Sequence, residues 1–329
     1  MAGCKRLFRM SAFQAARRCA LSLLISLVPA TCFGADVLKL AVGAPSNWDT
    51  SIPEVGQRAG IFAKHGLTLE LLYTQGGGET VQAVISGSVD IGIAAGTQAV
   101  MGAFVKGAPV RILAAGTTGV GDLYWYVPAG SPIKSFAETG GKTASFSTAG
   151  ASTHIALLAL IKHFATATKP VATGAGSVTL TQVMTGQIDV GWASPPFGLQ
   201  ALKDGKIRLI ARGSDAPSMR DQTVRVHIVN ANVLEQRRDV ITRFMNAYRE
   251  SYEFLYSDPR GVRIYSEYSK VPEDLAIQIR DQFMPKAVMS PDRISGVESI
   301  MTDAIAFKTL SGPLSQQQLA DLIQIPPAP

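Results

Sequence analysis

The sequence predicts an α/β fold of two related lobes enclosing a cleft, and three observations carry that prediction. Strand-like and helix-like segments alternate from residue 37 to about residue 229. An eleven-residue pattern in the first half recurs 99 residues later. The chain has 329 residues, 47% of them hydrophobic and 17% charged, enough for two compact lobes of roughly 100–200 residues each.

The first 35 residues stand apart from that body. They hold Lys5, Arg6, Arg9, Arg17 and Arg18 and no acid, then an uncharged run over 19–28, then Pro29 and small residues. A basic head, a short apolar stretch and a small-residue end form the pattern of a secretory signal peptide, the apolar part being too short to span a bilayer. The expectation is a signal peptide over 1–35, cleaved between Ala30 and Ala35 with Ala35 favoured, and a periplasmic mature chain. The same segment explains the charge. The formal +6 falls to 26 basic against 25 acidic residues once those five are removed, so basicity makes no case for a nucleic-acid partner. Cys4, Cys19 and Cys32 also lie there, which leaves the body without disulfides, thiolate nucleophiles or cysteine metal ligands. No second apolar run of about 18 residues follows, so the mature chain is expected to be soluble.

Each element then has its own signal. Residues 37–42 (VLKLAV) alternate as a strand, 52–64 read as a helix and 67–73 (LTLELLY) as a second strand. Three glycines at 76–78 turn into a helix over 79–85 that Gly87 closes. A strand at 90–94, a helix at 97–105 and a strand at 110–115 follow, and this alternation predicts a largely parallel sheet. Beyond 229 the periodicity turns helical, at 233–256, 261–269, 272–283, 291–308 and 315–323, with Pro259, Pro272 and Pro291 as breaks or first-turn prolines. No low-complexity linker precedes these helices, so they are expected to pack on the first lobe. With crossovers near 116–121 and 212–216, lobe 1 comprises 36–118 and 214–329, and lobe 2 comprises 119–213.

The recurrence supports two homologous lobes. Residues 84–94 (VISGSVDIGIA) align without gaps on 183–193 (VMTGQIDVGWA), identical at five of eleven positions, and 111–116 (RILAAG) matches 208–213 (RLIARG). Each copy reads as a helix ending at a glycine, an Asp opening a buried strand, and a new helix.

In open α/β sheets ligands lie beyond the carboxyl ends of the strands, so the strand exits are the places to search. Those of the first lobe carry Ser46, Asn47 and Trp48, then Gln75, Gly76 and Gly77, then Thr97. Those of the second carry Ser147, Ser152, Thr153 and His154, then Ser194, Pro195 and Phe197. Most of these exits open a helix, where exposed N–H groups and hydroxyls cradle an anion, although the same residue types also cap helices and turn chains. Trp48 and Phe197, on opposite lobes, are placed to sandwich a planar or apolar part of a ligand, with core packing as the alternative. Trp192 reads as core, and His154 as a candidate hydrogen-bond partner. No Lys or Arg stands on these exits, and Asp49 is their lone carboxylate.

Catalytic signatures fail on spacing. The GKT at 141–143 has Phe136 where a phosphate loop needs glycine, and it precedes a strand instead of following one. The GASTH at 150–154 ends in His154 where a nucleophile elbow needs glycine. His65, His154, His163 and His227 show no metal spacing. No catalytic residue, metal or cofactor is assigned.

Four segments together resemble a known family: EVGQRAGIFAKHGL at 54–67, QAVISGSVDIGIA at 82–94, SPIK at 131–134 with GK at 141–142, and STH at 152–154. They are similar to bacterial periplasmic solute-binding proteins of ABC importers, in the sulfonate/nitrate/taurine and thiamine-pyrimidine-like group, over essentially the whole mature chain. The resemblance implies a type II-like two-lobed periplasmic binding protein fold, a small-molecule ligand in the cleft, a membrane permease as partner, no nucleic acid, and a monomer. It carries the site onto the exit residues named above. The segment 194–197 reads SPPF, without the acidic side chain often found nearby in relatives. The absence of exit cations argues against an inorganic anion such as nitrate. The expected ligand is therefore a small anionic or heteroaromatic organic solute, sulfonate-like, captured by lobe closure. A ligand-binding sensor subunit, or an enzyme with an acid, base or metal cluster in the cleft, would use the same architecture.

Overall fold

The computed structural model describes residues 34–329, so all but the last two positions of the expected signal peptide lie outside the described residues. In chain order the first part comprises β1 (Asp36–Gly43), α1 (Ile52–Arg58), α2 (Ile61–Lys64), β2 (Leu67–Thr74), α3 (Gly77–Ile85), β3 (Ile91–Gly96), α4 (Thr97–Val105) and β4 (Val110–Ala115). The middle comprises β5 (Tyr124–Pro128), β6 (Thr143–Phe146), α5 (Ser152–His163), β7 (Lys169–Ala172), α6 (Gly176–Met184), β8 (Gly191–Ala193), α7 (Leu199–Lys203) and β9 (Ile207–Arg212). The chain then returns through β10 (Arg225–Asn230) and ends in α8 (Ala231–Gln236), α9 (Arg238–Ser257), α10 (Pro259–Ser269), α11 (Glu273–Gln278), α12 (Val297–Ala306) and α13 (Gln316–Leu322).

The first lobe is built on a five-stranded sheet in the order β2-β1-β3-β10-β4. β1 runs parallel to β2 and β3, and β10 runs antiparallel to β3 and β4. In the second lobe β8-β5-β9 pair antiparallel and β6-β7 parallel. A parallel bridge from Ala144 to Val190 joins the two, so the lobe reads β7-β6-β8-β5-β9. That is the order of the first sheet, strand for strand. In each lobe the antiparallel strand is the one that arrives from the other lobe. Such a strand enters from the cleft side and must run against strands that point toward the cleft, which is why neither sheet is as parallel as the alternation predicts.

The sequence repeat acquires a physical reason here. Gly87 and Gly186 both take φ +73°, the left-handed turn that closes each helix. The Asp three residues on is a staple between strands: Asp90 Oδ2 accepts from the Lys39 amide at 2.8 Å, and Asp189 Oδ2 from the Thr143 amide at 2.9 Å. The hydroxyls of Thr74 and Thr80 lie 2.9 Å apart, and those of Thr173 and Thr179, each 99 residues on, 3.2 Å apart.

Some expected boundaries move. The helix expected over 52–64 breaks at Gly60, which takes φ +77°. The one expected over 291–308 begins only at Val297, after Gly296 in a left-handed turn. The helix expected over 272–283 finishes in a π turn, Ile279–Phe283. The return crossover occupies 213–224, longer than the 212–216 expected, because it holds two 3₁₀ turns, Gly213–Asp215 and Pro217–Met219. It lies alongside the first crossover: the Val224 amide donates to the Thr117 carbonyl at 2.9 Å and the Gly119 amide to the Gln222 carbonyl at 2.8 Å.

The C-terminal helices cover both faces of the first sheet. α9 buries Ile241, Phe244, Met245, Tyr248, Tyr252 and Leu255, a stripe at helical spacing, against Trp48, Phe62 and the strands β1 and β3. On the opposite face α12 and α13 place Ile300, Ala304 and Leu322 with Val81, Val84 and Met101. Each fully buried large side chain of this kind is worth roughly 1.5–3 kcal/mol, so these helices belong to the first lobe's core. The second lobe has its own core around Trp125, Phe136, Phe146, Leu157, Leu160 and Trp192. Among the described residues no helix is long and apolar enough to cross a membrane, and no group of His, Cys, Asp or Glu could hold a metal ion.

Candidate functional site: the cleft between the lobes

The strand exits of both lobes meet around a cavity of about 40 Å³. The first lobe contributes Gly43, Ala44, Asn47, Asp49, Thr50, Gln75, Gly76, Gly77, Ala94 and Arg225, and the second contributes Leu123, Ser147, Ala151, Ser152, Thr153 and Trp192. Of the expected site residues, Asn47, Gln75, Gly76, Gly77, Ser147, Ser152 and Thr153 therefore line one cavity. They come from the β1–α1 loop and from the segments leading into α3 and α5. The leading N–H groups of a helix cannot be satisfied by the helix itself, so both helices offer donors to the cleft.

The other expected residues are engaged elsewhere. Trp48 is 1% exposed, donates from Nε1 to the Tyr256 hydroxyl at 2.9 Å and packs edge-on to Tyr265, so it is core and sandwiches nothing. Ser46 turns toward α10, its carbonyl accepting from the Tyr265 hydroxyl at 2.8 Å. Thr97 donates to the Thr223 carbonyl at 2.6 Å and ties α4 to the return crossover. His154 stacks on Phe146, and its Nδ1 accepts from the Gly150 amide at 3.3 Å; burial holds its pKa below the usual histidine value. Ser194 lies behind the wall, donating to Asp122 Oδ2 at 2.9 Å. Pro195 is buried and begins a cis Pro195–Pro196 bond, and Phe197 packs against the cluster containing Tyr124 and Tyr126. Trp192, read as core from the sequence, is part of the second lobe's core and also lines the cavity, with its buried Nε1 unpartnered.

Arg225 overturns the expectation of a cleft without cations, while Asp49 is the one carboxylate among the residues that line the cavity. The arginine is the first residue of β10, 6% exposed, and lines the cavity. Its Nη1 donates to Asp49 Oδ2 at 3.0 Å, its Nη2 to Asp122 Oδ2 at 2.9 Å and its Nε to Ser152 Oγ at 2.9 Å. Burial alone would lower the Arg225 pKa, but the Asp122 and Asp49 carboxylates outweigh it and keep the guanidinium charged. Burial pushes Asp49 above the usual carboxylate range, and Arg225 offsets this only in part. The signal was present in the sequence: a charged residue inside TVRVHIVN at 223–230, a strand buried along its whole length, requires a partner.

The lobes already touch across the cleft. The Gly78 amide donates to Thr148 Oγ1 at 3.1 Å, and the Ala175 amide to Gln75 Oε1 at 3.3 Å. A Cβ on Gly76 would lie 2.7 Å from Ser147 Oγ, so glycine is what lets the two loops approach this closely.

No curated protein matches the chain significantly. Solved structures share its periplasmic binding protein fold. The alkanesulfonate-binding protein SsuA from Xanthomonas axonopodis pv. citri, bound to MOPS, is similar over 88% of this chain and 98% of its own, at 16% identity and a TM-score of 0.70. The periplasmic nitrate-binding protein NrtA from Synechocystis PCC 6803 is similar over 87% and 84%, at 15% identity and a TM-score of 0.65. The desulfurization enzyme DszB is similar over 88% and 96%, at 14% identity and a TM-score of 0.62. Two binding proteins and an enzyme on one architecture show that activity must be argued from the site. The family model described as NMT1/THI5 like matches residues 53–262, a span that contains β2 through β10 and with them every cavity residue except those at 43–50, and the chain belongs to the NMT1/THI5-like family.

Proposed function

We propose that this protein is the extracytoplasmic solute-binding component of an ABC importer, a periplasmic monomer that encloses a small organic solute between its lobes and presents the closed form to a membrane permease. The observation that carries the reading is the cavity walled by both lobes, with helix N-termini entering it from each side. A solute touching both walls binds the closed form better than the open one, and that differential affinity shifts the population toward closure about the paired crossovers.

The chemistry of the walls supports binding over turnover. No histidine or cysteine among the described residues lines the cavity, and its charged groups are committed to one another. The amides leading α3 and α5, with the hydroxyls of Ser147 and Thr153, favour an anionic head such as a sulfonate or carboxylate. Arg225 does not turn the site toward a bare inorganic anion, because two carboxylates already face it. A cavity of about 40 Å³ holds a few water-sized groups, so a larger solute must be accommodated by a wider lobe separation.

The test is a thermal-shift screen of the purified protein against sulfonates, dicarboxylates, aromatic acids, nitrate and pyrimidines. A ligand at 100 times its Kd adds about 2.7 kcal/mol. Stabilisation by a compound recovered unchanged supports the reading. Chemical conversion of that compound would replace it with an enzyme, and a flat response to every class would overturn it.

A further inference from the structure

The two helices that repeat each other across the lobes, α3 and α6, begin without caps of their own. Their N-cap positions hold Gly76 and Ala175, neither with a side chain that can accept a hydrogen bond. Ser, Thr, Asp or Asn at that position would satisfy one of the leading amides, which a helix cannot satisfy from within. The acceptors come instead from the facing lobe. Thr148 Oγ1, in lobe 2, accepts from the amide of Gly78, the second residue of α3, at 3.1 Å. Gln75 Oε1, in lobe 1, accepts from the amide of Ala175, which opens α6, at 3.3 Å. The exchange is reciprocal: each lobe caps the helix that the other lobe carries at the equivalent place in the repeat.

Close backbone contact seats both acceptors. A Cβ on Gly78 would fall inside contact with the Ala149 carbonyl oxygen, and one on Gly174, at φ +79°, would lie 3.1 Å from Gln75 Oε1. The backbone beside each acceptor is held by its own lobe. Glu79 Oε2 accepts from the Gln75 amide at 2.9 Å, and the Thr148 carbonyl accepts from the Ala151 amide at 3.1 Å. Each acceptor therefore travels with one lobe and its donor with the other.

We propose that Gln75 and Thr148 form a closure latch, a pair of caps exchanged between the lobes that supplies part of the closing free energy from the chain itself, whatever the solute. When the lobes part, both amides turn to water and both caps are lost together. The closed fraction sets the apparent affinity, so the latch scales the binding of every solute by one common factor and selects among none of them. The inference rests on the lobe-closure reading, but its test needs no solute.

Amide hydrogen exchange, resolved by NMR on the full protein, reads the two caps separately, because an amide exchanges when its bond opens. The informative readout is crossed. Thr148→Val deletes the cap on Gly78 and should speed exchange at the Ala175 amide, whose own partner is untouched. Gln75→Met should do the same at Gly78. Each crossed acceleration is expected to be about fivefold, the size of a typical cap. Amides of β1 and β5, inner strands of the two sheets, should keep their wild-type rates. A crossed effect missing from either variant overturns the latch and leaves the solute-binding reading standing, with closure then driven by solute alone. Equal acceleration of the inner-strand amides also overturns the latch, since the caps would then belong to folding. If Gly78 and Ala175 exchange no faster than those strands in the wild type, the lobes part only on unfolding, and the closure reading falls together with the latch.

Discussion

Replacing Gly96 by alanine should leave the protein folded and keep its cleft from closing. Gly96 caps α4 with φ −67° and ψ 121°, backbone angles that any residue adopts. The obstacle lies across the cleft: a Cβ there falls far inside contact with the Gly150 carbonyl oxygen and 3.2 Å from its carbon. Carbon-to-oxygen contacts settle near 3.3 Å or more, so the facing loop would have to withdraw by about 1 Å. Both partners are backbone, with no rotamer to escape into, and parting the lobes is the relief available.

Overpacking of this kind costs typically 1–3 kcal/mol, here charged to the closed form alone. A solute that binds only that form loses affinity in proportion, about 5- to 150-fold. The unfolded state pulls the other way. An alanine in unstrained backbone restricts the unfolded chain and stabilises by about 0.4–1 kcal/mol, so the melting temperature should hold or rise. Small-angle scattering, thermal melts and ligand titration on wild type and Gly96→Ala read these effects, with Gly140→Ala, where an added Cβ meets nothing within 4 Å, as control. A larger radius of gyration with an unchanged or higher melting temperature is expected. Superimposable scattering with unchanged affinity would refute the reasoning. So would a large fall in melting temperature, because the contact would then belong to folding and not to closure.

His227 accepts from the Ala94 amide at 3.1 Å through Nδ1, so its proton sits on Nε2, which donates to the Tyr248 hydroxyl at 2.6 Å. Burial draws its pKa down to about 3, so its contribution is complete above the unfolded value near 6.5 and is lost as pH falls toward 3; urea melts should show about 2 kcal/mol lost at pH 5 relative to pH 8, and His227→Gln should remove that much of the slope. Arg225→Met leaves Asp49 and Asp122 buried without their counter-charge and should cost about 3–5 kcal/mol in urea denaturation, a loss under about 1 kcal/mol being incompatible with the buried network. Trp48→Phe removes the bond to Tyr256 and some packing volume, for roughly 1–3 kcal/mol in the same assay, and should leave solute affinity untouched; a marked change in affinity would return Trp48 to the cleft wall.

Much of this architecture was legible because the chain states it twice. The pattern at 84–94 and 183–193 marks the same helix, left-handed glycine and stapling aspartate in both lobes, and the structure repeats the whole strand order around it. Residues that line the cavity from the segments leading into α3 and α5 were legible because Gly, Ser and Thr before a helix signal an exposed N-terminus. Trp48 was misplaced for a related reason. Its position after β1 is what an exit residue should have, but the partners that bury it, Tyr256 and Tyr265, lie more than 200 residues away on helices whose packing no local pattern reports.

Arg225 and Leu123, and Asp122 beside them, were missed for one geometric cause. Searching beyond the carboxyl ends of strands presumes that every strand points toward the cleft. In each lobe the strand that arrives from the other lobe points away from it, so its amino end is what borders the cleft. Asp122 and Leu123 precede β5, and Arg225 opens β10. These are the positions where the chain passes from one lobe into the other, and Arg225 joins Asp49 of the first lobe to Asp122 and Ser152 of the second. The same crossing therefore delivers a charged cluster to the floor of the cleft. In a two-lobed fold of this kind, a charged residue at the start of an otherwise apolar returning strand deserves the same weight as a polar residue after an outgoing one.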